Sequence, residues 1–374
     1  MAIFLYGTLL YAPLFTLVSG AGGDSIPAIL PGYTVAGAPD GPWPALVPRE
    51  NATAPGRLFT ALTPDQEARL DCYELPFGYV RAPVTVRTAA GETEATVYLP
   101  PPGTTGAGDW SLDRWIRDHS ATALDAAGEV DWGAAGFDMA RLRREWPMIR
   151  VRAAARARAA QEPTPATLRR APAPGDWTVA LAKPPAGSFF RLATSTMGHA
   201  RFAGGRHDGL IREVMVGADA ALVLPYDPVR DRVALIEQFR AGPAQRGDRN
   251  PWTLEPIAGI VDPDETPEDA ARREAGEEAG LTLRDLLPMF HGYATPGNAT
   301  DHFYCYLGLA DLPDGLPTLG GLDFEAEDLR LHVLSFDRAM DLLDSGEVTA
   351  TPLAAMLLWL YRRRPDLRPA VPRP

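Results

Sequence analysis

The sequence predicts a two-domain α+β protein: a small N-terminal mixed β-barrel or sheet with helices, followed by a C-terminal α/β/α sandwich around a mixed sheet. Three observations carry this. At 374 residues, with 46% hydrophobic and 22% charged composition, the chain is long enough for two cores rather than one. Its first part alternates short β-like runs with Gly/Pro/Asp turn clusters, and its last part interleaves apolar strands with helices. Between them lies a stretch rich in Arg, Ala and Pro and poor in core-forming residues. These features place one domain at 1–135, an Arg/Ala helix and Pro-rich linker at 136–176, and a second domain at 177–374.

In the first domain, AIFLYG, YTVAGA, GRLFTAL, YVRAPVTVRT and TEATVYL read as strands. LTPDQEARLDCYE interrupts them as a helix, with Thr63 as N-cap, Pro64 at the first helical position and acids in the first turn. SLDRWIRDHSATALDAAGEV reads as another helix. DMARLRREWPMIRVRAAARARAA is an Arg/Ala helix interrupted near Pro147, its charged face solvated or packed on acidic neighbours. QEPTPATLRRAPAPGD is semi-extended linker.

From Trp177 onward, FFRLATSTM, GLIREVMVG, AALVLPYD, RVALIEQFR, WTLEPIAG, PMFHGYATP and HFYCYLGLA are strand candidates, several apolar on both faces. Helices are expected from Thr266 to Ala279, over SFDRAMDLLDSGE, and over TPLAAMLLWLYRR.

A formal net charge of −12 argues against nucleic acid or an anionic membrane as partner, because the summed field repels phosphate. A phosphate-ester ligand would need a bridging cation. The two cysteines, Cys72 and Cys305, match no metal-binding spacing and fit a reducing cytoplasm. The apolar N-terminus, MAIFLYGTLLYAPLFTLVSG, has no basic n-region and is broken by Gly7, Thr8 and Pro13, which fits neither an export signal nor a membrane span.

GIVDPDETPEDAARREAGEEAGL, Gly259–Leu281, packs eight acidic side chains into one segment. On the predicted helix Glu274, Glu277 and Glu278 lie at i, i+3 and i+4, so their carboxylates share a face. Like charges at that spacing repel unless a cation binds them, and an all-oxygen donor set suits Mg²⁺ or Mn²⁺ rather than zinc. An ordinary solvated acidic face is the alternative that composition alone leaves open.

The full spacing decides between them: Gly259, Glu265, Arg273-Glu274, Glu277-Glu278 and Gly280-Leu281 stand as in the Nudix box. The resemblance spans roughly 186–362 and is strongest to the ADP-ribose pyrophosphatase branch, through AALVLPYDPVRDRVALIEQFR, WTLEPIAG, YATPGNATD and GLDFEAEDLRLHVLSFDRAMDLLDSGEV. It implies Mg²⁺-dependent hydrolysis of ADP-ribose to AMP and ribose 5-phosphate, or of another nucleoside diphosphate derivative such as ADP-glucose or GDP-mannose. A nucleotide-binding stress-response module that does not hydrolyse is the third possibility. The resemblance makes Glu274 and Glu278 metal ligands, Glu277 a metal-facing catalytic carboxylate, and the Ala258 carbonyl part of the metal shell. Glu265 and Arg273 hold the loop. Glu325 is implied as the base and Glu327 as a further ligand, two roles that could be exchanged. Arg240 is implied to contact the diphosphate or ribose, Pro296 to mark ADP-ribose preference, and Phe189 and Arg212 to stack on the adenine. In relatives these stacking partners come from two subunits, which implies a homodimer.

In the first domain, Tyr6-Gly7-Thr8-Leu9 follows the first strand, where backbone N–H groups can form an anion-binding turn. With LDCYE, YVRAPVTV and TEATVYL it resembles the γ-glutamylcyclotransferase-like (AIG2-like) fold over about residues 1–120. That resemblance makes Glu74 the acid/base that cyclises a γ-glutamyl amide and the Tyr6–Leu9 turn the holder of the glutamyl carboxylate. Leu75-Pro76 follows Glu74 where active members commonly have a small residue, so a non-catalytic module is the alternative. The pairing of the two domains resembles Nudix proteins associated with tellurite resistance.

Overall fold

The computed structural model describes residues 2–321 and 328–368, and the chain divides into two compact units, Met1–Pro163 and Thr164–Pro374. In the first unit, strands β1 (Ile3–Leu5), β2 (Ser25–Gly37), β3 (Pro44–Phe59), β4 (Val80–Thr88) and β5 (Gly91–Leu99) close into a barrel in the order β1-β3-β2-β4-β5. Strand β1 runs antiparallel to β3 and parallel to β5, which makes the barrel mixed. Side chains alternate across the strands. Phe4, Leu58 and Val97 fill the barrel with Leu30, Leu46 and Val86. Their neighbours Ile3, Leu5, Phe59 and Tyr98 face out into a second core under the helices.

Those helices are α1 (Ala12–Ser19), α2 (Pro64–Glu74), α3 (Leu112–Gly128) and α4 (Met139–Gln161). Helix α2 starts where its sequence says it should. The Thr63 hydroxyl accepts the Gln66 N–H at 3.2 Å, and the Gln66 side chain accepts the Thr63 N–H at 3.0 Å, a reciprocal capping box. Helix α4 is unbroken at Pro147, contrary to the expected interruption. Proline withholds the N–H that would bond the Arg143 carbonyl. The helix survives because Leu142, Ile149 and Ala153 form a stripe buried with Trp115, Ala126 and Ala127 of α3. Its arginines pair with acids as expected: Arg152 meets Glu129 at 2.9 Å and Arg156 meets Glu129 at 2.6 Å and Asp125 at 2.5 Å.

The second unit holds β6 (Trp177–Leu181), β7 (Arg191–Ala200), β8 (Arg206–Val216), β9 (Asp219–Asp227), β10 (Arg232–Phe239), α5 (Ala241–Arg246), β11 (Trp252–Glu255), β12 (Ile257–Ile260), α6 (Pro267–Ala279), β13 (Asp285–Tyr293), β14 (His302–Leu309), β15 (Leu319–Gly320), β16 (Leu329–Ser335), α7 (Phe336–Asp344) and α8 (Thr351–Leu367). Among the described residues, eight strands form one sheet in the order β13-β14-β9-β10-β16-β15, with β11 on β10 and β12 on β9. The β14–β9 pairing is parallel and the other pairings are antiparallel. Period-two alternation makes the sandwich. Ala221, Val223, Ala234 and Ile236 turn to α6, packing on Ala270, Ala271 and Ala275. Leu222, Leu224, Val233 and Leu235 turn to α7 and α8, packing on Phe336, Leu353, Met356 and Leu357. Strands β6, β7 and β8 form a separate three-stranded sheet. No helix among the described residues is long and apolar enough to cross a membrane.

Candidate functional site

Helix α6 carries the acidic segment. Thr266 caps it by accepting the Asp269 N–H at 3.1 Å, Pro267 occupies its first turn, and Glu268 and Asp269 sit where the helix dipole favours acids. Its alanine face is pressed on the sheet, so the neighbouring positions Glu274 and Glu278 are drawn down with it and keep only 9% and 3% of their surface. Glu277, off that face, stays exposed.

Arg273 organises the cluster. Its guanidinium donates to Glu265 at 2.9 and 3.0 Å, to Glu274 at 2.5 Å, to Glu277 at 2.9 Å and to the Ile260 carbonyl at 3.1 Å. The bond to Glu265 does most to raise its pKa above the ordinary arginine value, so it stays charged. The loop is thereby tied to the helix. Strand β12 closes the other side. The Ala258 N–H donates to a Glu278 carboxylate oxygen at 3.2 Å, and a β-carbon on Gly259 would stand 1.7 Å from Glu274 Oε1. Only glycine leaves room for that carboxylate.

Three carboxylates sharing one guanidinium retain net negative charge in a half-buried setting, where an unbalanced charge is costly. With Glu278 and the Ala258 backbone alongside, the donors gathered here are oxygens, and that set fits a hard divalent cation. Glu325 and Glu327 lie outside the described residues.

The expected substrate-binding residues are distributed around the same unit. Arg240, just past β10, is held by Glu255 at 2.9 and 2.6 Å. Pro296 is exposed in the 294–301 loop, which is pinned to the end of β8: the Met215 N–H donates to the Asn298 carbonyl at 2.8 Å and the Thr300 N–H to the Met215 carbonyl at 3.0 Å. Arg212 lies three residues earlier on β8, exposed, donating to the Ile211 carbonyl at 2.8 Å. Phe189, 49% exposed, packs edge-on to Phe190 at 4.9 Å before β7. Through the β6–β7–β8 register, Arg212 shares a face with Leu181, Val179 and Trp177, about 60% exposed each.

The first unit has a cavity of about 350 Å³, and Tyr6, Gly7, Thr8, Leu9 and Glu74 all line it. The sequence places these two segments some sixty-five residues apart; the barrel joins them, because β1 delivers the turn and α2 ends on Glu74. Gly7 is needed there, since a β-carbon would lie 2.7 Å from the Pro44 ring. Glu74 is partly buried in the cavity wall, and no described residue donates a hydrogen bond or ion pair to its carboxylate. Burial pushes its pKa up to about 8. An acid raised to about 8 that lines a cavity rich in aromatic side chains can both take and return a proton. Sequence reasoning missed other parts of the wall, among them Trp43 from the β2–β3 connection, Tyr79 before β4, and Arg143 and Trp146 from α4. Nothing local marks these residues, because the cavity is assembled from distant segments.

The second unit thus places an acidic, capped helix against a glycine-bearing strand of a mixed sheet held between helices. The NUDIX domain family model matches residues 217–354, and the model for gamma-glutamyl cyclotransferase, AIG2-like, matches residues 3–115. The chain is 37% identical over 180 residues to an ADP-ribose pyrophosphatase of Escherichia coli (strain K12), covering 48% of this chain and 85% of that protein. It is 34% identical over 174 residues to an ADP-ribose pyrophosphatase of Haemophilus influenzae, covering 46% and 80%. It is also 32% identical over 152 residues to a GDP-mannose pyrophosphatase of Salmonella arizonae, covering 40% and 77%. The chain belongs to the Nudix family, with a γ-glutamyl cyclotransferase, AIG2-like domain in its N-terminal part.

Proposed function

We propose that the C-terminal unit hydrolyses the diphosphate bond of ADP-ribose to AMP and ribose 5-phosphate with Mg²⁺, Mn²⁺ serving as a substitute. The observation that carries this is the α6 cluster: Glu274 and Glu278 drawn under the helix, Glu277 beside them, and Arg273 locking the loop. Glu274, Glu278 and the Ala258 carbonyl would hold the cation, with Glu327 as a further ligand. When bound, it would supply positive charge against the diphosphate oxygens. The chain's own part is positioning. Arg273 and the Ala258 N–H keep the carboxylates preorganised, so little reorganisation is needed as charge develops. Glu325 takes a proton from water as the water oxygen bonds to phosphorus and the anhydride P–O bond breaks.

Arg240 would release Glu255 to meet the diphosphate or ribose, and Pro296 lies on the loop pinned beside Arg212. Phe189 and Arg212 would stack on the adenine from two chains, which makes the protein a homodimer. The apolar face around Arg212 favours the same reading. A GDP-mannose or other nucleotide-sugar substrate is the second reading, since relatives of both names are similar to this chain. Measuring kcat/KM for ADP-ribose, ADP-glucose and GDP-mannose with Mg²⁺ separates them: we expect ADP-ribose to lead, and preferential cleavage of a hexose nucleotide contradicts the first reading.

For the N-terminal unit we propose a γ-glutamyl amide cyclotransferase with Glu74 as acid/base and the Tyr6–Leu9 turn holding the glutamyl carboxylate. The unpartnered Glu74 in its cavity supports catalysis over a purely structural module. Release of 5-oxoproline from γ-glutamyl amides, compared with Glu74→Gln, tests it; no release above that variant contradicts it.

A further inference from the structure

Helix α4 reaches the N-terminal cavity from beyond the stretch matched by the cyclotransferase family, which ends at residue 115. Three of its residues, Arg143, Trp146 and Arg150, lie at i, i+3 and i+7 and so on one face. Arg143 and Trp146 line the cavity directly. Trp146 packs on Phe77, another lining residue, with ring centroids 5.4 Å apart. The Arg150 guanidinium stands 5.0 Å from the ring centroid of Trp43, a third lining aromatic, and steadies it. Arg143 makes no ion pair or hydrogen bond with any described residue, in contrast to Arg141, Arg152 and Arg156 of the same helix. The cavity thus has aromatic walls and one uncommitted guanidinium, both supplied or braced by α4.

Resting on the cyclotransferase reading, we infer that α4 selects the substrate, and that the cavity takes a γ-glutamyl amide whose leaving amine carries an aromatic ring and a carboxylate: a γ-glutamyl aromatic amino acid. The ring packs among Trp146, Phe77 and Trp43, which favour offset or edge-on aromatic partners. The carboxylate meets Arg143, whose planar fork matches it. In the reaction the α-amino nitrogen of the glutamyl group attacks its γ-carbonyl carbon. The lactam C–N bond forms as the amide C–N bond breaks, and the proton lost by the attacking amine passes through Glu74 to the departing nitrogen. The products are 5-oxoproline and the free aromatic amino acid, with no other reactant.

Asp40 lines the same cavity and would favour a cationic leaving group instead, so the test must separate the two. With the full chain, kcat/KM for 5-oxoproline release is measured for γ-glutamylphenylalanine, its C-terminal amide, γ-glutamylalanine and ε-(γ-glutamyl)lysine. We expect γ-glutamylphenylalanine to lead each of the others by about tenfold or more. Arg143 is exposed, so Arg143→Gln should fold, and it should bring the ratio between γ-glutamylphenylalanine and its amide to about one. If the alanine or lysine compound is cyclised as fast or faster, or if Arg143→Gln leaves that ratio intact, the inference is overturned and the cyclotransferase reading stands. If none of the four is cyclised, both fall together.

Discussion

Gly259 and Glu274 occupy nearly the same space: a β-carbon at Gly259 would lie 1.7 Å from the carboxylate oxygen and 2.0 Å from its carbon. Gly259→Ala must therefore push Glu274 out of the cluster while the alanine face of α6 keeps its packing. We expect nucleotide hydrolysis to fall about a hundredfold with little change in Tm, checked by steady-state kinetics beside a thermal melt. Glu74 makes a pH prediction. Its ordinary value is 4.5 and burial raises it to about 8, so the folded state holds the proton more tightly than the unfolded chain. The stability this contributes is full below about pH 4.5 and is lost as pH rises through about 8. Urea unfolding of the full chain at several pH values should show the first unit weakening across that window, and Glu74→Gln should remove that dependence. Cyclotransferase turnover, which needs the carboxylate, should rise with pH towards about 8.

The elements differ in how much of their role is written locally. The acidic segment was readable because capping residues, a helical carboxylate face and a glycine at fixed offset all fall within one short stretch, and each has its own physical signature. The alternation in β9 and β10 likewise announces two covered faces, and the sandwich follows. Helix α4 is the opposite case. Its sequence suggested a helix interrupted near Pro147 with a charged face solvated or packed on acids; the acid pairing holds, with Arg152 fully covered against Glu129, but the helix is unbroken and its stripe of Leu142, Ile149 and Ala153 is buried. That role depends on α3 and on a cavity built from segments far apart in sequence, which no local pattern encodes. Arg152→Ala removes one partner of a buried ion pair, a loss of about 3 kcal/mol. A fall in the first unit's Tm of roughly 6–12 °C is expected for a unit of this size, read by calorimetry.

At the scale of the whole molecule, the chain joins two units that each carry a candidate site. Its expected self-association rests on a face of the second unit. Trp177, Val179 and Leu181 project from one side of β6 at 60%, 59% and 60% exposure, an apolar strip that a second chain could cover. Sedimentation velocity should give about twice the 40.3 kDa chain mass. Val179→Glu should shift the protein towards monomer and lower ADP-ribose turnover with it; a monomeric wild type with full turnover contradicts stacking between chains. The α6 carboxylates are proposed to drive nucleoside-diphosphate hydrolysis. The most direct measurement is product formation from ADP-ribose with Mg²⁺ by the full chain and by Glu278→Gln. AMP and ribose 5-phosphate are expected from the wild type and a loss of about a hundredfold or more in the variant; intact ADP-ribose, or undiminished turnover by Glu278→Gln, would rule out catalysis by these carboxylates.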